Sequence, residues 1–131
     1  LMAHHNIYRV WAWTGGHADG EGDLLSVALR EARKETGVEH IRPLSPAIAS
    51  LDILPVWGHV KRGKWVPSHQ HLNVSYLLVA DESDALQIRE GENSRVGWLP
   101  AERLLEYTNE WQMDGVYAKL LARARELLRN A

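Results

Sequence analysis

The sequence predicts a single-domain α/β fold. Short runs rich in β-branched and aromatic residues alternate with segments of helical periodicity, so strands and helices interleave along the chain. A length of 131 residues is that of one domain, and no repeat, linker or low-complexity tract divides 1–131. A hydrophobic fraction of 45% beside a charged fraction of 24% suffices for one packed core.

The elements follow in order. IYRVWAW (7–13) is a strand by its β-branched and aromatic content. It has no earlier partner strand, which points to missing N-terminal strands or to another cover for that sheet edge, and the bare edge motivates a homodimer. TGGHADGEG (14–22) carries four glycines and is a loop. Asp23 is placed to N-cap a helix that runs to Thr36, with Gly37 as its left-handed stop and Leu24, Leu25, Ala28, Leu29 and Ala32 as its apolar stripe. IRPLSPAIAS (41–50) is a proline-marked connection. Residues 51–60 and 69–80 read as two strands joined through KRGKWVPS, with Gly63 at the tip. Residues 81–95 form a polar, acidic loop holding a short strand at Leu86–Ile88, and 96–100 is a further short strand. PAERLLEY opens a helix with proline in its first turn. From 113 to 129, Val116, Leu120, Leu121, Ala124, Leu127 and Leu128 share one face of an amphipathic helix.

Composition bounds the function. A net charge of −2 gives no basic field for nucleic acid or an anionic membrane. Without cysteine there is no disulfide or thiolate metal site. No apolar run is long enough to span a bilayer, and LMAHHNIYRV lacks the regions of a signal peptide, so a cytoplasmic protein is expected. Six Trp and four Tyr with no Phe suit base stacking, although packing is the commoner use of such rings.

The glycine loop and its helix carry the chemistry. At about 100° per residue, Glu31 and Glu35 fall roughly 20° either side of Leu24, at the rim of the buried stripe. Carboxylates stacked four apart at a core boundary repel and lose water, and a hard cation relieves both costs. Two carboxylates below a glycine loop suit Mg²⁺ or Mn²⁺ together with substrate phosphates. The bland alternative pairs the same acids with Arg30, Arg33 or Lys34 as surface charges.

These residues resemble the Nudix box, G-x5-E-x7-R-E-U-x-E-E-x-G-U, where U is apolar. Gly16 matches the first glycine, Arg30, Glu31 and Ala32 the R-E-U run, and Glu35, Gly37 and Val38 the end. Gly22 stands where the first acid is expected and Lys34 where the first of the E-E pair is expected. RVGWLPAERL resembles the family's usual ending. The resemblance implies an α/β/α sandwich around a mixed sheet and metal-dependent hydrolysis of a diphosphate linkage in a nucleoside diphosphate derivative. It implies a small nucleotide-like substrate and Mg²⁺ or Mn²⁺ held by Glu31, Glu35 and the Gly15 carbonyl. Arg30 would brace the helix through an acid, with Glu21 or Asp23 replacing the usual glutamate. Glu90 and Glu92 are candidates for the general base, by analogy with relatives that draw it from a later loop. Lys34 and Gly22 favour the alternative of a Nudix-like nucleotide-binding or regulatory domain without turnover. An isomerase of prenyl diphosphates is a third reading, weakened by the missing cysteine.

Other residues stay open. Gly15, Gly16 and His17 of the loop are placed to contact phosphate. His69 and His71 alternate along a strand and share a face, as a phosphate contact or as a metal pair with no evident third ligand. Trp11, Trp13, Trp57 and Trp65 stack a base or pack the core. Asp52 touches substrate or caps a turn. The cations of the last helix, Lys119, Arg123, Arg125 and Arg129, read as a solvated face.

Overall fold

The computed structural model describes residues 1–6 and 9–130. Its secondary structure is mixed, with three α-helices and nine short strands among the described residues. β1 (Met2–His5) is the middle of a three-stranded sheet, between β2 (Trp11–Ala12) and β9 (Asn93–Gly97). This corrects the expectation of an unpartnered first strand. Met2–His5 is itself the partner, and the case for a homodimer built on a bare edge does not hold. Ile7 and Tyr8 of the strand expected over 7–13 lie outside the described residues, and only Trp11–Ala12 pairs.

α1 (Leu24–Thr36) forms where its caps place it. Asp23 accepts from the Ser26 amide at 3.1 Å and from its hydroxyl at 2.7 Å. Gly37 takes φ 77° and donates its N–H to the Arg33 carbonyl at 2.8 Å. Arg33 and Lys34 in the last turn complement the helix dipole. Val27, Ala32 and Thr36 are its buried residues, and Leu24, Leu25, Ala28 and Leu29 are half-buried.

The proline-marked connection contains β3 (Ile41–Pro43), which pairs antiparallel with β8 (Leu78–Ala80). β4 (Ser50–Val56) pairs with β7 (His69–Ser75), from Ser50 opposite Ser75 to Val56 opposite His69. Beyond a break at Trp57 and Gly58, β5 (His59–Lys61) and β6 (Lys64–Val66) close the hairpin. Its tip is Arg62 at φ 51° and Gly63 at φ 76°, the left-handed pair of a two-residue turn. The strands expected over 51–60 and 69–80 are therefore each divided, because their two halves pair with different partners. No strand forms at Leu86–Ile88; Gln87 donates one hydrogen bond to the Thr36 carbonyl at 2.7 Å and no ladder follows. In place of one mixed sheet, the described strands form four small sheets held by five antiparallel ladders.

Pro100 and a 3₁₀ turn (Ala101–Arg103) lead into α2 (Leu104–Thr108), and a second 3₁₀ turn (Trp111–Met113) leads into α3 (Asp114–Arg129). The core gathers Met2, Met113 and Tyr117, flanked by Trp11, Trp13, Leu54, Leu99, Leu104 and Val116. Tyr117 stands edge-on to Trp13 and its hydroxyl accepts from the Trp13 amide at 3.4 Å. Asp52 neither meets a turn amide nor opens to the cleft. It accepts from Ser50 at 2.6 Å and from Lys119 at 2.7 Å, tying α3 to β4. No helix among the described residues is long and apolar enough to cross a membrane.

Candidate active site

A cleft of about 540 Å³ opens between the glycine loop, α1, β4, β7, the 89–93 turn and the 110–113 turn. Two turns of α1 below the loop bring Glu31 and Glu35 into it together. Glu31 has a side chain only 12% exposed, and its Oε2 lies 3.3 Å from Arg89 Nη1. Arg30 Nε lies 3.8 Å from the other Glu31 oxygen. Gly16 lies so close that a Cβ there would stand 2.8 Å from Glu31 Cδ. Glu35 Oε1 accepts from the Gly15 amide at 3.2 Å.

The 89–93 turn is fastened to the same helix. Asn93 is buried and donates to the Glu35 backbone carbonyl at 2.9 Å, while its own Oδ1 accepts from the Arg89 amide at 3.0 Å. Gly91 at φ 83° lets the chain reverse there. Glu92 consequently faces the cleft, and its charge acts on Glu35. Burial pushes the Glu35 carboxyl up to about 7. The Gly15 hydrogen bond opposes that shift, and the charges of Glu31 and Glu92 add to it. Among the described residues no ion pair reaches Glu35.

The cleft also carries imidazoles. His17 and His71 line the cleft with ring centroids 5.1 Å apart. Burial lowers the His71 pKa, and the His17 and His69 charges lower it further. His69 is exposed, does not line the cleft, and meets His71 at 3.1 Å between Nε2 atoms. Trp13 and Trp57 reach the cleft, whereas Trp11 packs under Arg95 and Trp65 packs on Gly58.

The structure thus brings Gly15, Gly16, His17, Glu31, Glu35, His71 and Glu92 to one cleft. It does not bring Arg30, His69 or Glu90 to its lining. Arg30 meets Glu31 instead of Glu21 or Asp23, because Glu21 accepts from the Asp23 amide and Asp23 is spent on the Ser26 cap. Lys34, which stands in place of an expected acid, is exposed and outside the cleft. Arg89 and Asn93 were not singled out by the sequence. They act on α1 across 58 residues of chain, and the only local signal is a cation and an amide beside a glycine turn.

The family model for the NUDIX domain matches residues 1–121. The chain belongs to the Nudix family. Nudix proteins include hydrolases of phosphoric anhydrides, with small nucleotide-derivative substrates and divalent metals such as Mg²⁺ or Mn²⁺ in general use. A search of curated proteins found no match to the chain. The residues at the Nudix-box positions Gly16, Glu31 and Glu35 are the ones that meet at the cleft.

Proposed function

We propose that this Nudix domain hydrolyses the diphosphate linkage of a nucleoside diphosphate derivative with Mg²⁺ or Mn²⁺, as a cytoplasmic enzyme without nucleic-acid or membrane partners. The observation that carries the reading is the crowding of carboxylates. Glu31, Glu35 and Glu92 face one cleft, and Glu35 is protonated more readily than an ordinary glutamate, first because it is buried and then because the charges of Glu31 and Glu92 outnumber the one cation, Arg89, that acts on it. Oxygen donors with surplus negative charge fit a hard divalent ion, which Glu31, Glu35 and the Gly15 carbonyl would hold. When bound, such an ion supplies charge neutralisation on the diphosphate and orientation of the attacking water.

The chain's own residues do the rest. Arg89 fixes Glu31 by its 3.3 Å contact, and Arg30 braces it from the solvent side. The small loop residues Gly15 and Gly16 let the diphosphate approach the backbone. His17 and His71 line the same cleft within its reach, and His69 contacts His71. Glu92 is favoured over Glu90 as the general base that takes the water proton, because it lines the cleft and Glu90 does not.

The test is a panel of nucleoside diphosphate derivatives with Mg²⁺ or Mn²⁺, following phosphate-containing products. Turnover that disappears in Glu35→Gln supports hydrolysis. Binding of a panel member without turnover in the native chain would establish the regulatory alternative instead.

A further inference from the structure

We propose that Glu110, braced by Gln112 at the Trp13 end of the cleft, reads the ribose of the substrate by accepting hydrogen bonds from its 2′- and 3′-hydroxyls. The inference rests on the nucleoside diphosphate reading above and narrows it to ribonucleoside derivatives. The local chain aims the carboxylate. Asn109 ends α2 at φ 51°, and the Met113 amide closes the next turn on the Glu110 carbonyl at 2.8 Å. Glu110, Gln112 and Met113 then line the cleft, while Trp111 between them is 78% exposed and outside it. Gln112 Nε2 donates to Glu110 Oε2 at 3.4 Å.

This carboxylate stands apart from the acids proposed to hold the ion. The charges of Glu31 and Glu92 act on Glu35, and none of the three acts on Glu110. Burial alone raises the Glu110 pKa, so no neighbouring cation offsets its loss of water. Its own charge reaches the Tyr117 hydroxyl, which accepts from the Trp13 amide. Trp13 lines the cleft as well, which fixes the end at which Glu110 sits. A half-buried carboxylate that faces a cleft without a cation calls for donors from a ligand.

The donors that fit are adjacent hydroxyls. A carboxylate only accepts, and Gln112 already spends one amide hydrogen on it. Two oxygens side by side match a vicinal diol. A nucleobase edge generally sets acceptors beside its donors, and these would go unmatched here. An acidic side chain holds the ribose 2′-hydroxyl by the same chemistry in dinucleotide-binding folds. Trp13 and Met113 supply apolar neighbours for the carbon face of the sugar.

The test compares ribo- and 2′,3′-dideoxy forms of the common nucleoside 5′-monophosphates by calorimetry in excess Mg²⁺. A monophosphate has no diphosphate linkage, so nothing in this comparison depends on turnover. We expect the best ribonucleotide to bind about tenfold or more tighter than its dideoxy form. Glu110→Ala should bring that ratio to within about twofold by weakening the ribonucleotide, and Glu110→Gln, which keeps one acceptor, should fall between. Equal binding of the two forms by the native chain overturns the proposal, whatever base or amine-bearing group they carry. So does a preference that survives in Glu110→Ala, or no saturable binding of any ribonucleotide below about 1 mM. Should Glu110→Ala fail to fold, the native ratio and Glu110→Gln decide, and an undiminished ratio in Glu110→Gln overturns it. Hydrolysis without ribose preference removes this inference and leaves the hydrolase reading standing. Ribose-dependent binding without hydrolysis does the reverse.

Discussion

Gly16 and Glu31 are in such close approach that the loop acts as a template for the carboxylate. A Cβ at position 16 would meet Glu31 Cδ at 2.8 Å and Cγ at 2.9 Å, with no backbone atom among its nearest neighbours. Gly16 is not among the positive-φ glycines, so alanine fits the main chain there. Gly16→Ala should therefore displace Glu31 without unfolding anything. We expect a melting temperature within about 2 °C of the native value and a kcat/KM at least roughly tenfold lower. Unchanged kcat/KM in a folded variant would disprove the templating. Glu35 gives the complementary case. Glu35→Gln keeps the acceptor for the Gly15 amide and removes one of three facing charges. Turnover should fall by about 100-fold or more, while the metal-free protein at pH 8 melts no lower than the native chain. A sharply lower melting temperature would show that Glu35 stabilises the fold as an ion, contrary to the crowding argued above.

At the scale of elements, the junction after α1 is held by His40 against the turn at Asp84. The Nδ1–Oδ1 distance is 2.7 Å, and Asp84 also accepts from the Glu39 and His40 amides. The Asp84 hydrogen bond and charge raise the His40 pKa above 6.5. The His40 amide and ring, in that order, lower the Asp84 pKa below 3.8. The histidine contribution is complete below pH 6.5 and fades as pH rises through its raised folded value. The aspartate contribution is complete above pH 3.8 and fades as pH falls through its lowered one. His40→Gln should thus melt below the native protein at pH 5.5, with the difference closing by pH 9; a gap independent of pH would contradict the ion pair. The same elements show what a sequence discloses. α1 was legible because its signals are local: Asp23 at one end, Gly37 at the other and a periodic face between. The Glu31–Glu35 pair followed from that helix alone. β1 was illegible because MAHH alternates neither in polarity nor in size, and its strand state is imposed by β2 and β9 on either side. Arg89 was illegible for the same reason, since nothing near it in sequence announces Glu31. Glu90 and Glu92 are equivalent as letters; the Gly91 reversal and the Asn93 anchor choose between them.

Across the whole molecule, the cleft is assembled from segments scattered along the chain, from Ala3 on β1 to Met113 ahead of α3. Its walls share side chains with the core. Met113 belongs to both, and Trp13 lines the cleft while its amide donates to Tyr117 of α3. The 89–93 turn bridges α1 and β9 through Asn93. A ligand that fills this space must order the loop, that turn and the approach to α3 together, because each is fastened to the next by hydrogen bonds or packing. The β5–β6 tip around Gly63 stands apart from these fastenings, and no Cβ contact lies within 4 Å of that glycine. Amide exchange measured with Mg²⁺ and a non-hydrolysable nucleoside diphosphate derivative should slow at 15–17, 89–93 and 110–113 in concert, and not at 62–63. Protection confined to the glycine loop would mean that the cleft walls act independently and that the ligand engages only the Nudix helix.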